Sequence, residues 1–92
     1  MIARTLVIAG QVQGVGYRDA MIAVARAAGV VGWVCNRRDG TVEARVQGES
    51  AAVEKVVAWC RRGPPAARVS TLEATPADAD AALRDFGWRA TQ

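Results

Sequence analysis

The sequence predicts a small α+β domain in which two helices pack on one face of an antiparallel sheet. Its 92 residues suit one domain, residues 1–92. Apolar residues recur with helical spacing in two segments. Several other short segments are either continuously apolar or alternate between apolar and polar residues, as strands do. These segments follow one another in the order β-α-β-β-α-β, with a short strand at the C-terminal end. Two strand–helix–strand units joined by a hairpin are the split βαβ, or ferredoxin-like, arrangement.

The first unit is a strand, a helix and a second strand. Residues 3–9 are rich in β-branched and apolar side chains and precede Gly10, so they predict the first strand. Residues 17–28 predict the first helix because apolar positions recur at i, i+3, i+4 and i+7, and Gly29 is a natural stop. Residues 30–36 predict the second strand.

A hairpin leads into the second unit. Asp39-Gly40 between two strand-like runs is a strong hairpin signal, and residues 41–47 alternate as the third strand. Ser50 is a suitable N-cap for the second helix. An apolar stripe follows it, and the run that begins at Gly63 ends the helix.

The last strands follow the second helix. Residues 68–75 alternate, which predicts a fourth strand. One of its faces would hold Val69, Thr71 and Glu73. Residues 84–90 predict a short final strand with Phe86 and Trp88 on one face.

Composition narrows the possible functions. The formal net charge is +3, histidine is absent, and the two cysteines lack the CxxC spacing of a redox or metal motif. Cationic runs are limited to Arg37-Arg38 and Arg61-Arg62, which is too little for a long nucleic-acid footprint. No secretory pattern follows Met1, and no apolar run approaches the ~20 residues that cross a bilayer. We therefore expect a cytoplasmic monomer that binds neither nucleic acid nor membranes.

The stretch GQVQGVGYR, between the first strand and the first helix, is the candidate site. Gly14 and Gly16 allow positive φ angles, so main-chain N–H groups can line a concave anion site at the start of the helix. Arg18 adds a planar cation suited to bidentate contact with phosphate oxygens. The alternative is a tight strand-to-helix turn with an exposed arginine, and glycines alone do not decide between the two.

Three motifs in matching order and spacing, VQGVGYR, WVCNRRDGTVEA and GPPAARV, closely resemble the acylphosphatase family. The resemblance covers essentially the whole chain. It implies hydrolysis of an acyl phosphate to a carboxylate and inorganic phosphate, with no metal and no cofactor. It also implies that Arg18 binds the substrate phosphate and that Asn36 orients the attacking water. Inorganic phosphate or other anions would then act as product or inhibitor.

The predicted division of roles is specific. Main-chain N–H groups of the loop, together with the arginine side chain, would hold the phosphoryl oxygens: Gln13, Gly14, Val15, Gly16, Tyr17 and Arg18. Asn36 would hold water through its amide, although an asparagine at this place can also simply start the RRDG turn. Cys35 is interpreted as a packing residue, because no histidine is present to activate it.

Two other functions fit the same fold. Related β-α-β-β-α-β domains bind RNA on the open sheet face, which needs aromatic side chains on central strands. The chain has 5% aromatic residues and no such run. A phosphate-binding or carbamoyl-phosphate-binding regulatory domain is the second alternative. The acyl group of the substrate is not identifiable from the sequence.

Overall fold

The chain forms two helices and a five-stranded sheet, and the computed structural model describes all 92 residues. The predicted order of elements is confirmed, and each boundary lies within two residues of its predicted place. The elements are β1 (Ile2–Gln11), α1 (Tyr17–Ala28), β2 (Val31–Asn36), β3 (Val42–Gly48), α2 (Ser50–Arg62), β4 (Arg68–Ala77) and β5 (Phe86–Trp88). The predicted ferredoxin-like α+β arrangement is therefore present. No helix in it has the length and apolar character that a membrane span requires.

The strands lie in the order β4-β1-β3-β2-β5. The first four strands of the chain pair antiparallel, as predicted. The final strand differs, because β5 pairs parallel with β2 and makes the sheet mixed. After β4 the chain crosses the sheet to reach the opposite edge. This crossing is fastened to β3, where the Gln47 side chain hydrogen-bonds both the N–H and the carbonyl of Asp80.

Both helices pack on the same face of the sheet around one apolar core. Val56 and Cys60 of α2 are fully buried there, together with Met21 of α1 and Leu6 and Val46 of the sheet. Cys60 is a free thiol, and burial raises its pKa to about 12. Its burial agrees with the apolar stripe predicted for this helix.

The N-cap predicted for α2 is wrong by one residue. Ser50 is already helical, and Glu49 occupies the N-cap position with extended backbone angles (φ −64°, ψ 146°). No side chain caps this end, and the Glu49 carbonyl accepts a hydrogen bond from the Val53 N–H at 2.9 Å. Since β3 continues to Gly48, only one residue remains for the turn into the helix. Good capping chemistry at Ser50 therefore does not decide where the helix begins.

The predicted faces of β4 are also partly wrong, because the strand contains a bulge. Val69 pairs with Gly10 and Thr71 pairs with Ala9, which leaves Ser70 without a partner. As a result, Val69 packs against the core, whereas Thr71 is exposed. Gly10 has a φ of 126°, and a Cβ at this position would collide with the main chain of β4. The missing side chain permits this close approach.

The two aromatic residues of β5 have different surroundings. Phe86 is fully buried in the core, whereas the Trp88 side chain is 64% exposed. Trp88 is paired with Val34, and the next N–H, that of Arg89, donates to the Val34 carbonyl at 2.9 Å. The exposed indole is therefore held on a well-paired strand at the edge of the sheet.

Candidate active site

The loop between β1 and α1 has the backbone geometry that its glycines predict. Gly14 and Gly16 adopt left-handed φ angles of 75° and 78°. A Cβ added at either glycine would have no other atom within 4 Å, so the loop is open on this side. Gly16 is the N-cap of α1, and no side chain caps this helix end. The first N–H groups of a helix have no partner within the helix, so those of α1 are available to an anion.

A cavity of about 200 Å³ lies over this loop. Its walls come from the loop, the first turn of α1 and the end of β2: Val12, Gly14, Gly16, Tyr17, Arg18, Asp19 and Asn36. The cavity thus contains both Arg18 and Asn36, the two residues proposed from the sequence. Its volume is below the roughly 300–1,000 Å³ typical of sites that enclose a whole small molecule. It is therefore suited to one small polar group and a water molecule.

Arg18 lines this cavity without a salt-bridge partner. Neither of the two salt bridges in the protein, Arg4–Glu54 and Arg26–Asp85, involves it. The ring centroid of Trp88 lies 5.9 Å from the guanidinium carbon. A guanidinium without a carboxylate partner is available to an anionic ligand.

Asn36 brings a second unmatched group to the same cavity. Its side-chain Oδ1 is buried and has no hydrogen-bond partner in the protein. A buried acceptor in this condition costs about 1–3 kcal/mol unless a ligand or water supplies the missing donor. The main chain of Asn36 is held in place, since it pairs with Val42 and its carbonyl accepts a hydrogen bond from the Gln92 N–H at 3.0 Å.

The turn after β2 does not use the Asn36 side chain. Asp39 supplies the side-chain contact instead, because its Oδ1 accepts hydrogen bonds from the Thr41 N–H at 3.0 Å and from the Thr41 hydroxyl at 2.6 Å. These two bonds hold the pKa of Asp39 below its ordinary value. The alternative interpretation of Asn36 as a turn-forming residue therefore has no hydrogen bond to support it.

Gln13 has a role that sequence reasoning missed. Its Nε2 donates hydrogen bonds to the carbonyls of Arg37 at 2.8 Å and Thr41 at 2.9 Å. These contacts tie the glycine loop to the hairpin that follows Asn36. Gln13 does not line the cavity, and neither does Val15, which packs against the core. Only the glutamine's place beside the glycine loop was visible in the sequence, and its partners are more than 20 residues away.

Tyr17 fixes the start of α1 to the end of α2. The residue is 2% exposed, and its hydroxyl donates to the Cys60 carbonyl at 2.7 Å. That carbonyl belongs to the last turn of α2, where no partner exists within the helix. The ring lies 5.6 Å from that of Trp59, and a Cβ at Gly63 would come within 2.8 Å of it. Burial raises the pKa of Tyr17, so the hydroxyl stays a hydrogen-bond donor.

Removing this hydroxyl should weaken the fold and spare the site. We expect Tyr17→Phe to lower the free energy of unfolding by about 1–2 kcal/mol, because the Cys60 carbonyl loses its buried donor. Urea denaturation should show a lower midpoint at an unchanged slope. Phosphate release from acetyl phosphate, the activity that the family resemblance implies, should stay within about twofold at 25 °C, because the ring still fills its place. An unchanged midpoint would contradict the stabilising role given to the hydrogen bond.

Cys35 is separate from the cavity. It precedes Asn36 on β2, so its side chain leaves the opposite face of the strand, where it is fully buried. Burial is the main cause that raises the pKa of its thiol, and the negative charge of Glu43 adds to it. The interpretation of Cys35 as a packing residue agrees with this location. Nowhere do three or more histidine, cysteine or acidic side chains converge as a candidate metal site.

Comparison with known proteins identifies the family. The sequence model described as Acylphosphatase matches residues 4–88. This chain belongs to the acylphosphatase family. It is 51% identical to an acylphosphatase of Acidiphilium cryptum over 78 residues, which are 85% of this chain and 86% of the relative. The family and its fold support acyl phosphate hydrolysis, so the chain is an acylphosphatase enzyme.

Solved structures of the family share the whole fold. The crystal structure of acylphosphatase from Bacillus subtilis superposes with a TM-score of 0.92 at 29% identity, and the match covers 97% of this chain and 99% of the other. An acylphosphatase from Coxiella burnetii matches with a TM-score of 0.88 at 30% identity, over 96% and 92% of the two chains. The overall fold is thus common to these proteins.

Proposed function

We propose that the cavity between the glycine loop and the end of β2 is the site at which the enzyme hydrolyses acyl phosphates. Arg18 binds the phosphoryl group there, and Asn36 positions the water. One observation supports this assignment above all others. Arg18, which has no salt bridge, and Asn36, whose buried Oδ1 has no hydrogen-bond partner, line the same small cavity. The first matches an anion, and the second matches a neutral hydrogen-bond donor such as water.

The main-chain N–H groups of the loop share the phosphoryl charge with Arg18. The groups at Gly14, Gly16, Tyr17 and Arg18 belong to residues that line the cavity, and the dipole of α1 adds to their attraction. Backbone donors on a helix end are preorganised, so they need little rearrangement as charge develops in the transition state. Gln13 contributes indirectly, because its side chain holds the loop against the hairpin.

The chemical step needs few groups. The water held by the Asn36 amide forms a bond from its oxygen to phosphorus, and the bond between phosphorus and the acyl oxygen breaks. The acyl group leaves with that electron pair as a carboxylate, a stable anion that needs no protonation by the protein. The proton released by water passes to a phosphate oxygen. Phosphoryl transfer of this loose kind depends mainly on positioning and charge stabilisation.

The first test is turnover of the unmodified protein in the presence of a metal chelator. We expect release of inorganic phosphate from acetyl phosphate and benzoyl phosphate, at a rate unchanged by excess EDTA, because Arg18 and the loop amides supply the positive charge. Heat-denatured protein and buffer alone give the background, since acyl phosphates also hydrolyse in water. A rate that falls with EDTA and returns with added Mg²⁺ would contradict the metal-free mechanism.

The same assay separates the alternatives. A regulatory domain would bind phosphate but release none from either substrate. An RNA-binding module would change the gel mobility of RNA, and this shift would weaken as the salt concentration rises. The outer face of the sheet offers little for base stacking, since the guanidinium carbon of Arg89 lies 4.5 Å from the centroid of the Trp33 ring. Monomeric state and cytoplasmic location stay predictions of the sequence.

A further inference from the structure

We propose that Trp88 forms one wall of a subsite for the acyl group and that it makes the enzyme favour flat, apolar acyl substituents. This inference rests on the function proposed above and extends it, because the phosphate cavity alone does not distinguish one acyl phosphate from another. Because the acyl preference would depend on Trp88 alone, a single substitution tests it.

The exposure of Trp88 is the first observation. Large hydrophobic side chains in this protein are mostly buried, and only Met1 and Trp88 stand out as exposed. Met1 lies at the chain end, whereas Trp88 is held in register beside Val34 on β5. An indole ring fixed by strand pairing and open to solvent is a preorganised apolar surface, and binding to it requires little ordering of the protein.

The position of Trp88 is the second observation. A second cavity of about 310 Å³, shallow and open to solvent, is lined by Arg18, Asp19 and Trp88. Arg18 and Asp19 also line the phosphate cavity, so the two spaces adjoin at the first turn of α1. An acyl phosphate joins its two ends through a single oxygen atom. A phosphoryl group beside Arg18 therefore places the acyl carbon within reach of the second cavity.

The chemistry of the wall sets the preference. The face of an indole ring stacks on flat apolar groups, and offset stacking contributes beyond the area buried. A benzoyl group offers such a face, whereas an acetyl group offers one methyl and covers little of the ring. The guanidinium carbon of Arg18 lies 5.9 Å from the ring centroid, so the phosphate-binding cation and the aromatic wall are neighbours.

The experiment compares two substrates across three variants. We expect Trp88→Ala to lower kcat/KM for benzoyl phosphate about tenfold and to change kcat/KM for acetyl phosphate less than threefold. Trp88→Phe should keep most of the preference, because it retains an aromatic face. Trp33→Phe is the matched control, since Trp33 lies on the outer face of the sheet and its ring is packed against Arg89. This variant should leave the ratio of the two values unchanged.

A binding measurement separates this inference from the catalytic one. Titration with benzoylphosphonate and acetylphosphonate, which cannot be hydrolysed, reports acyl preference without turnover. Loss of the benzoyl preference in Trp88→Ala supports the subsite even if no variant releases phosphate, a result that would refute only the catalytic proposal. Equal losses for both ligands, with weaker inhibition by phosphate, would mean that Trp88 acts on Arg18 and would overturn the acyl subsite. An unchanged preference would overturn it as well.

Discussion

Replacing Arg18 with alanine should reduce kcat/KM for acetyl phosphate by about 10²–10³ or more, the effect of removing one preorganised donor from a charge-stabilising site. Inhibition by inorganic phosphate should weaken strongly in the same variant. Both effects follow from one cause, because the guanidinium contributes the only full positive charge among the residues that line the cavity. Arg18→Lys should recover part of the loss, since lysine restores the charge without the planar pair of donors.

Arg38→Ala is the matched control for this experiment. It removes the same charge from an exposed position outside the cavity, and its N–H to the Gln92 carbonyl is a main-chain bond that the substitution leaves in place. We expect less than a threefold change in kcat/KM. Arg18 takes part in no salt bridge, so Arg18→Ala should also leave the urea midpoint unaltered. A similar fall in activity for both variants would indicate a general field effect and would count against a specific phosphate contact.

Asn36→Ala should have an equally large effect on a different quantity. We expect kcat to fall by about 10²–10³, whereas the inhibition constant for inorganic phosphate stays within about threefold of the unmodified value. The amide would hold the attacking water and make no essential contact with the phosphate. Loss of the water's position therefore slows the step in which the bond to phosphorus forms.

Two controls test whether Asn36→Ala acts through the site and not through the fold or the neighbouring residue. The Asn36 Oδ1 has no partner within the protein, so truncating the side chain breaks no internal hydrogen bond and the urea midpoint should not fall. Cys35→Ala changes the adjacent residue on the opposite face of β2 and should keep kcat. Equal loss of phosphate affinity in Asn36→Ala and Arg18→Ala would refute the division of roles. A normal kcat in Asn36→Ala would remove the water-positioning role altogether.

Local signals predicted most of the fold. The bounds of α1 were predicted to the residue, because its apolar spacing and Gly29 are both readable along the chain, and Gly29 does adopt the left-handed C-cap conformation. The hairpin between β2 and β3 follows from Asp39-Gly40 in the same way. The positive φ angles of Gly14 and Gly16 were likewise expected from residue type. Each of these features depends on residues close together in the sequence.

The site was only partly predictable, and the missing parts are contacts between distant segments. Arg18 was proposed from its place after the glycine loop and Asn36 from a resemblance, and the structure places both at one cavity. The side-chain contact of Gln13 with the hairpin was not predicted. The hydrogen bond from the Tyr17 hydroxyl to α2 was not predicted either, because no local sequence pattern indicates it. Trp88 was expected to share one face of the final strand with Phe86, and its place beside Arg18 emerged only with β5 in the sheet.

The amino-acid sequence by itself determined the order and type of the elements, the glycine conformations of the loop and the chemistry available at the site. These depend on periodicity, on turn propensity and on the donors and charges of single residues. Tertiary structure decided the parallel pairing of β5, the bulge opposite Gly10 and the start of α2. It also placed an unpaired cation, an unpartnered amide oxygen and an exposed indole around one helix end. The reason is physical: such choices depend on which distant backbone groups and apolar faces find partners, and that is settled only when the sheet assembles.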